Sequence, residues 1–292
     1  MGRIDAGVKG RVAMTCRSLL RMVSLVVIGF AVSLSATPDE LPQHKPAEEQ
    51  QQKAWDILWQ GTHEGSTTKR SRATNALGLL SDDPEAAGLA ESRLQDREPE
   101  VRAAAATALG EMHSAASIPK LEKALSDEKI SVAVAAAHSL LSLKNDSGYA
   151  VYYAVLTGER KSGEGLIEQQ LHEFKDRKKL AEFVFYQGIG FLPYAGYGVE
   201  FVHELSRKHS ALVRATAAGA LAHDPDPLAA KALAEAVSDK HWIVRAAALK
   251  AIAMRGDPAL LPKVEPAMAD HQDVVRYTAA ATVRHLARPA AP

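Results

Sequence analysis

Apolar residues follow a helical pattern in a unit that recurs every 31–32 residues along the chain. In the clearest unit, residues 101–112, the apolar side chains fall on one face of an α-helix. They are Val101, Ala105, Ala108, Leu109 and Met112. The same frame recurs in two groups with a spacing of 31–32 residues within each group, in copies that begin at Lys69 and Val132 and at Val213, Val244 and Val275. The pattern therefore predicts one amphipathic helix in each unit.

A second apolar stretch lies between these helices, as in residues 118–125 and 228–237. Aspartate and proline stand at the intervening turns, where Asp83, Asp226 and Asp257 each precede a proline. Such residues cap a helix or open its first turn. Each unit is thus a helix pair that cannot bury its apolar faces alone, and stacking of neighbouring units creates one core. The sequence predicts an all-α solenoid of stacked antiparallel helix pairs.

An aspartate keeps a fixed distance from the arginine that opens the regular units. Asp96 precedes Arg102 by six residues, and two later units repeat this spacing with Asp239 before Arg245 and Asp270 before Arg276. We expect the aspartate to cap the helix and the arginine to reach a carboxylate in the same or the adjacent turn. Asp127 is followed six residues later by Ala133, which predicts a break in this series.

The combined pattern is L-x-x-x-L-x-D followed by V-R-x-A-A-x-A-L. It is found in Leu121–Asp127 with Val132–Leu140, and in Leu233–Asp239 with Val244–Leu249. It resembles HEAT repeats of the short phycocyanobilin-lyase type, over roughly residues 55–145 and 199–288. The resemblance implies an α-solenoid. It leaves the function open, because that family includes lyases, scaffolds and exported proteins without an assigned role.

The rhythm breaks between residues 146 and 200, and we assign an irregular helical segment to this range. It contains six of the seven tyrosines and four of the six phenylalanines, and its residues 187–198 form a glycine-rich run that cannot continue a helix. Aromatic side chains in a loop on a rigid scaffold are typical of a recognition surface. The predicted partner-binding residues are Tyr186, Phe191, Tyr194 and Tyr197. The alternative is that the aromatic residues fill a gap where the solenoid bends.

The N-terminus has the order of a secretory signal, with cations before an apolar run and small residues at its end. The run, residues 22–36, would span about 22 Å as a helix, which is short of the roughly 30 Å hydrocarbon core of a membrane. We therefore predict a signal peptide at residues 1–36, a polar linker at 37–52, and HEAT-like repeats at 53–145 and 201–292. The protein is expected to be exported, to the periplasm or the medium, with no stable membrane span after cleavage.

Charge and cysteine content narrow the functional classes. Removal of residues 1–36 leaves 30 of the 35 basic and 34 of the 35 acidic residues, a net charge of −4. A mildly acidic body argues against a nucleic-acid partner. Cys16 is the only cysteine in the sequence, so neither an internal disulfide nor a Cys-based zinc site is possible.

Two His-Glu dipeptides, at residues 172–173 and 203–204, are one repeat apart. They resemble the iron-binding pairs of deoxyhypusine hydroxylase, a HEAT-like enzyme. That family has four such pairs at the start of the Val-Arg helix, whereas this chain has two pairs, on the other helix. We expect these histidines to be solvated and predict no metal and no cofactor. The sequence also lacks the H-E-x-x-H and G-x-S-x-G motifs, and no catalytic residues are predicted.

These observations favour a non-catalytic protein-binding or scaffolding protein that acts outside the cytoplasm. The expected partner is a protein or peptide, held by the concave side of the helix row and by the 187–198 loop. The alternative is an enzyme of the HEAT-like bilin-lyase kind, or a tetrapyrrole binder, against which export and the lack of identifiable acid–base residues both argue.

Overall fold

The computed structural model describes residues 44–157 and 209–288. These ranges contain twelve α-helices and no strand. The first six helices are α1 His44–His63, α2 Thr67–Ala76, α3 Pro84–Arg93, α4 Pro99–Glu111, α5 Ile118–Ala124 and α6 Ile130–Ser142. The other six are α7 Tyr149–Thr157, α8 His209–Ala220, α9 Pro227–Ala236, α10 Trp242–Arg255, α11 Leu261–Val264 and α12 Asp273–Leu286. The predicted all-α solenoid is confirmed.

Helix starts follow the turn chemistry of the sequence. The Asp83 carboxylate accepts the backbone N–H groups of the first turn of α3 at 3.1 Å. Asp226 accepts one at the start of α9 at 2.8 Å, and Asp257 does so before the 3₁₀ turn Pro258–Leu260 at 2.9 Å. The predicted capping roles of all three aspartates are confirmed, because each carboxylate satisfies a donor that the helix itself leaves unpaired.

Six helices form a single row, and we call them the row helices: α2, α4, α6, α8, α10 and α12. The order of these helices along the row is α8, α10, α12, α2, α4 and α6. α12, the last row helix in the sequence, therefore packs against α2, the first row helix in the sequence. In the stack, the C-terminal repeats come before the N-terminal repeats. The helices α3, α5, α9 and α11 pack beside α4, α6, α10 and α12, and we call them flanking helices.

Small residues let the row helices approach closely. The apolar face predicted in α4 is buried, with Val101, Ala105 and Leu109 fully inaccessible. A Cβ atom added at Gly110 would lie 2.4 Å from Ser139 Oγ and 2.9 Å from Ser139 Cα of α6. Ser139 in turn donates a hydrogen bond to a carbonyl of α4 at 2.8 Å. A glycine at this position thus permits the close contact between α4 and α6.

The row curves back on itself. Lys250 of α10 pairs with Glu111, the last residue of α4, at 3.1 Å, although two row helices stand between them. α10 also contacts the turn Leu77–Leu79 that follows α2, and both α10 and α12 are buried on nearly every side. These two helices are therefore largely covered by their neighbours, and the predicted binding surface on the concave side of the row stays a prediction.

Two helices lie at boundaries predicted from the sequence. α1 begins at His44, so the second half of the predicted polar linker 37–52 is helical. α7 follows residue 145 and lies in the predicted irregular helical segment 146–200. The predicted signal peptide 1–36 and the loop 187–198 lie outside the described residues. Among the helices of the described ranges, none is both long and apolar enough to cross a membrane.

Candidate functional site

Four arginines at the start of row helices each clamp the aspartate of the following repeat, whereas Arg276 of α12 pairs with Asp273 of its own helix. Arg102 donates from Nε and Nη2 to the Asp127 carboxylate at 2.7 and 2.8 Å, and from Nη1 to the backbone carbonyl of Asp96 at 3.0 Å. Arg70 with Asp96, Arg214 with Asp239 and Arg245 with Asp270 form the same two-pronged pair. We call these four pairs the Arg–Asp ladder.

The ladder corrects the expectation from the six-residue spacing. The aspartate six residues before the arginine offers its backbone carbonyl, while the carboxylate comes from the next repeat, about 25 residues further on. Asp127 is consequently paired with Arg102. The ladder ends after this pair, because Ala133 stands at the next arginine position and has no guanidinium group. Each ladder carboxylate also accepts the N–H two residues on, as Asp127 does from Lys129 at 2.9 Å. One carboxylate thereby joins two repeats and fixes the turn that leads into the next row helix.

Contacts within the ladder favour the charged forms of Asp96 and Arg102. Burial alone would raise the pKa of Asp96, but the hydrogen bonds from Arg70 and from the Glu98 N–H outweigh it, so the pKa lies below its ordinary value. The carboxylate of Asp127 raises the pKa of the Arg102 guanidinium. Two-pronged charge-assisted bonds also fix the orientation of both groups. The ladder therefore holds successive repeats in a defined register.

An open groove lies between α9 and the segment 261–269 that contains α11, with a volume of about 820 Å³. The ladder pair Arg245–Asp270 forms part of its lining. Its walls are apolar, with Ala234, Val237, Pro262, Pro266 and Ala267. Its polar rim is exposed, with Lys231, Glu235, Ser238 and Lys263.

The charges on the rim of the groove have no partners within the described residues. Neither Lys231 nor Lys263 forms an ion pair or a hydrogen bond to any residue of the ranges 44–157 and 209–288, and the same holds for Glu235. Leu228 stands one turn before Lys231 on α9, and 69% of its surface is exposed. The groove thus combines apolar walls, uncompensated cations and an exposed aliphatic side chain next to it.

The contact between α12 and the N-terminal repeats holds a second set of charges. Arg284 donates to the Asp83 carboxylate at 2.7 Å and to Glu85 at 2.7 Å, and its guanidinium lies 4.0 Å from the ring centre of Trp55. Burial would raise the pKa of Asp83, but the Arg284 bond and the Ala86 N–H lower it. Every charge of this set has a partner, so we assign it a structural role.

The two tryptophans of α1 differ. Trp55 is buried, whereas Trp59 is half exposed and stacks on His63 with 4.1 Å between ring centres. The predicted binding residues Tyr186, Phe191, Tyr194 and Tyr197 lie outside the described residues, as do both His-Glu pairs. No group of three or more His, Cys, Asp or Glu side chains within residues 44–157 and 209–288 is placed to hold a metal ion.

Comparison with known proteins agrees with the architecture. A family model described as HEAT repeats matches residues 56–142 and 199–284. No curated protein matches the sequence. Among solved structures, human deoxyhypusine hydroxylase in complex with glycerol is similar at 18% sequence identity, over 82% of this chain and 98% of that chain, with a TM-score of 0.31. A likeness this weak carries no information about activity.

Proposed function

Since the chain belongs to the HEAT-repeat family, we propose that it is a non-catalytic module that binds or scaffolds another protein outside the cytoplasm. HEAT repeats commonly mediate protein interactions. The proposal concerns a protein or peptide partner, with the groove beside α9 as the described contact surface. The aromatic residues of the loop 187–198 remain the second proposed contact.

The observation that carries the proposal is an open groove on a rigid frame. The ladder pair Arg245–Asp270 in its lining joins successive repeats at 2.7 and 2.9 Å, so the groove walls are held in a defined register. Binding to a preformed surface avoids the entropy cost of ordering it. Exposed charged and apolar groups at fixed spacing favour recognition of a macromolecular surface.

The binding experiment uses the mature chain as bait in an extract of the periplasm and medium of the native organism. A captured protein is purified separately and mixed with the mature chain, and light scattering after gel filtration measures the mass of the complex. We expect a stoichiometric complex. Replacement of Phe191, Tyr194 and Tyr197 together by alanine tests the loop, with the thermal melting curve as the control for folding.

Two results contradict this function. One is the absence of any stoichiometric partner after reconstitution. The other is a visible absorption band of the purified protein, which indicates a bound tetrapyrrole and supports the bilin-lyase alternative.

Export rests on the N-terminal sequence and is tested separately. We expect the mature chain to begin near Ala36 or Thr37 and to be recovered without detergent. Intact-mass measurement of the native protein checks this. A native chain that keeps residues 22–36 and sediments with membranes contradicts export of a cleaved protein.

A further inference from the structure

The groove beside α9 has a counterpart in the N-terminal repeats, between α3 and α5, and there an ion pair fills it. Glu91 of α3 pairs with Lys120 of α5 and accepts a hydrogen bond from Ser117 Oγ at 2.8 Å. Burial would raise the pKa of Glu91, but the bonds from Lys120 and Ser117 outweigh it and lower the pKa. The counterpart site therefore stabilises a carboxylate between two flanking helices.

The ladder aspartates align the two grooves residue by residue. Glu91 stands five residues before Asp96, and Ala234 stands five before Asp239. Lys120 stands seven residues before Asp127, and Lys263 stands seven before Asp270. The hydroxyl group of Ser117 has no counterpart in the C-terminal groove either, because Leu260 occupies the corresponding position. The C-terminal groove thus contains the lysine but not the carboxylate that pairs with the corresponding lysine in the N-terminal groove.

The same alignment shows a second change in charge. Lys231 stands eight residues before Asp239, and its N-terminal counterpart is Gly88, eight residues before Asp96. The groove therefore presents two cations, Lys231 and Lys263, neither of which is paired within the described part of the chain. Glu235 is the one unpaired anion among the lining residues there, and it leaves a net positive rim.

We propose that this groove binds an acidic peptide segment of a partner protein, and that a carboxylate of the partner takes the place beside Lys263 that Glu91 takes beside Lys120. This inference rests on the proposed protein-binding function and names the chemistry of the partner. The apolar walls formed by Val237, Pro262 and Pro266 accept aliphatic side chains next to that carboxylate. Exposed Leu228 extends the apolar surface along α9.

The test uses the mature full-length chain and three defined probes. These are fluorescein-labelled twelve-residue peptides composed of Glu, Leu and Ala, of Gln, Leu and Ala, and of Lys, Leu and Ala. We expect the acidic peptide to bind at least about tenfold more tightly than the neutral one, since a desolvated charge pair contributes on this scale. Added salt weakens acidic binding, because it screens exposed charges. Fluorescence anisotropy measures all three affinities.

Ala234→Glu is the decisive variant, because it rebuilds within the chain the carboxylate that the N-terminal groove contains. We expect it to pair with Lys263 and to reduce binding of the acidic peptide by about tenfold or more, with the circular dichroism spectrum and melting curve retained. The double variant Lys231→Glu and Lys263→Glu should reduce binding at least as much. Lys123→Glu on α5 reverses the charge of one exposed lysine outside the groove, and should leave binding within about twofold.

Three outcomes overturn the inference. The acidic and neutral peptides bind equally, or Ala234→Glu binds the acidic peptide as the unmodified chain does, or the mature chain forms a dimer that the double lysine variant dissociates. In the last case a second copy of the chain covers the groove. If the acidic peptide fails while a purified native partner still forms a stoichiometric complex, this inference is wrong and the proposed function stands. If no partner forms a complex, the proposed function itself is wrong.

Discussion

Leu109 and Leu228 show how the same side chain serves two purposes in this molecule. Leu109 is fully buried in the core of the row, where it belongs to the apolar face of α4. Leu228 exposes 69% of its surface beside the groove. The helical pattern of the sequence predicts the first environment directly. It cannot predict the second, because an apolar residue at the first turn of a flanking helix is compatible with either burial or exposure.

We predict that Leu109→Ala lowers the free energy of unfolding by about 2–5 kcal/mol, because it removes buried methyl groups and leaves a cavity. Leu228→Ala is the matched control and should change it by less than about 0.5 kcal/mol, as exposed positions usually do. Urea denaturation measures both values. Equal effects of the two variants would show that the assigned core face of α4 is wrong.

At the scale of the elements, the ladder pairs differ in exposure although their geometry is the same. The side chain of Arg102 is 10% exposed and that of Asp127 13%, whereas Arg214 in the first described C-terminal repeat is 41% exposed. A pair that water cannot reach is costly to break, because the remaining charge loses its partner without regaining solvent. The contribution of a ladder pair to the free energy of unfolding therefore depends on its position in the row.

Arg102→Met should lower the free energy of unfolding by about 3–5 kcal/mol, since methionine keeps the aliphatic stem but leaves the Asp127 carboxylate without its guanidinium. Arg214→Met removes the same group from the exposed ladder pair and should lower the free energy of unfolding by less than about 1 kcal/mol. Chemical denaturation of the two variants checks the ranking. A larger loss for Arg214→Met contradicts the role of burial.

Glycines test the packing between elements. Gly110→Ala should destabilise the protein by about 1–3 kcal/mol, because the added Cβ meets the backbone of Ser139 and forces α4 and α6 apart. Gly88→Ala, in the middle of α3, meets nothing within 4 Å and should stabilise by about 1 kcal/mol through higher helix propensity. Melting temperatures should therefore shift in opposite directions. Two shifts of the same sign would contradict the close contact at Gly110.

Local signals in the sequence predict the elements better than the contacts between them. The caps at Asp83 and Asp226 follow from adjacent residues, and both are found as expected. The partner of Arg102 could not be predicted in this way, because the Asp127 carboxylate reaches it only after two repeats stack. The groove was likewise missed, although one signal existed: Ala234 stands at the ladder position that Glu91 occupies in an N-terminal repeat.

At the scale of the whole molecule, the central claim is that both sets of repeats form one row, with α12 packed on α2. If the repeats stacked in the order in which they occur in the sequence, α12 would lie at a free end of the row. The observed order depends on contacts such as Arg284 with Asp83, which are 201 residues apart in the chain. No periodicity or motif connects such positions. The groove and the proposed binding function both assume that this single row is the scaffold.

A double-mutant cycle on Asp83 and Arg284 tests this claim most directly. Asp83→Asn keeps an oxygen that can cap α3, Arg284→Met keeps the aliphatic stem, and the cycle cancels the remaining contacts that each residue makes alone. Urea denaturation at pH 7 gives the four free energies of unfolding. If α12 packs on α2, the two substitutions are coupled by about 1–3 kcal/mol. Additivity to within about 0.5 kcal/mol would show that the C-terminal repeats do not stack on the N-terminal ones.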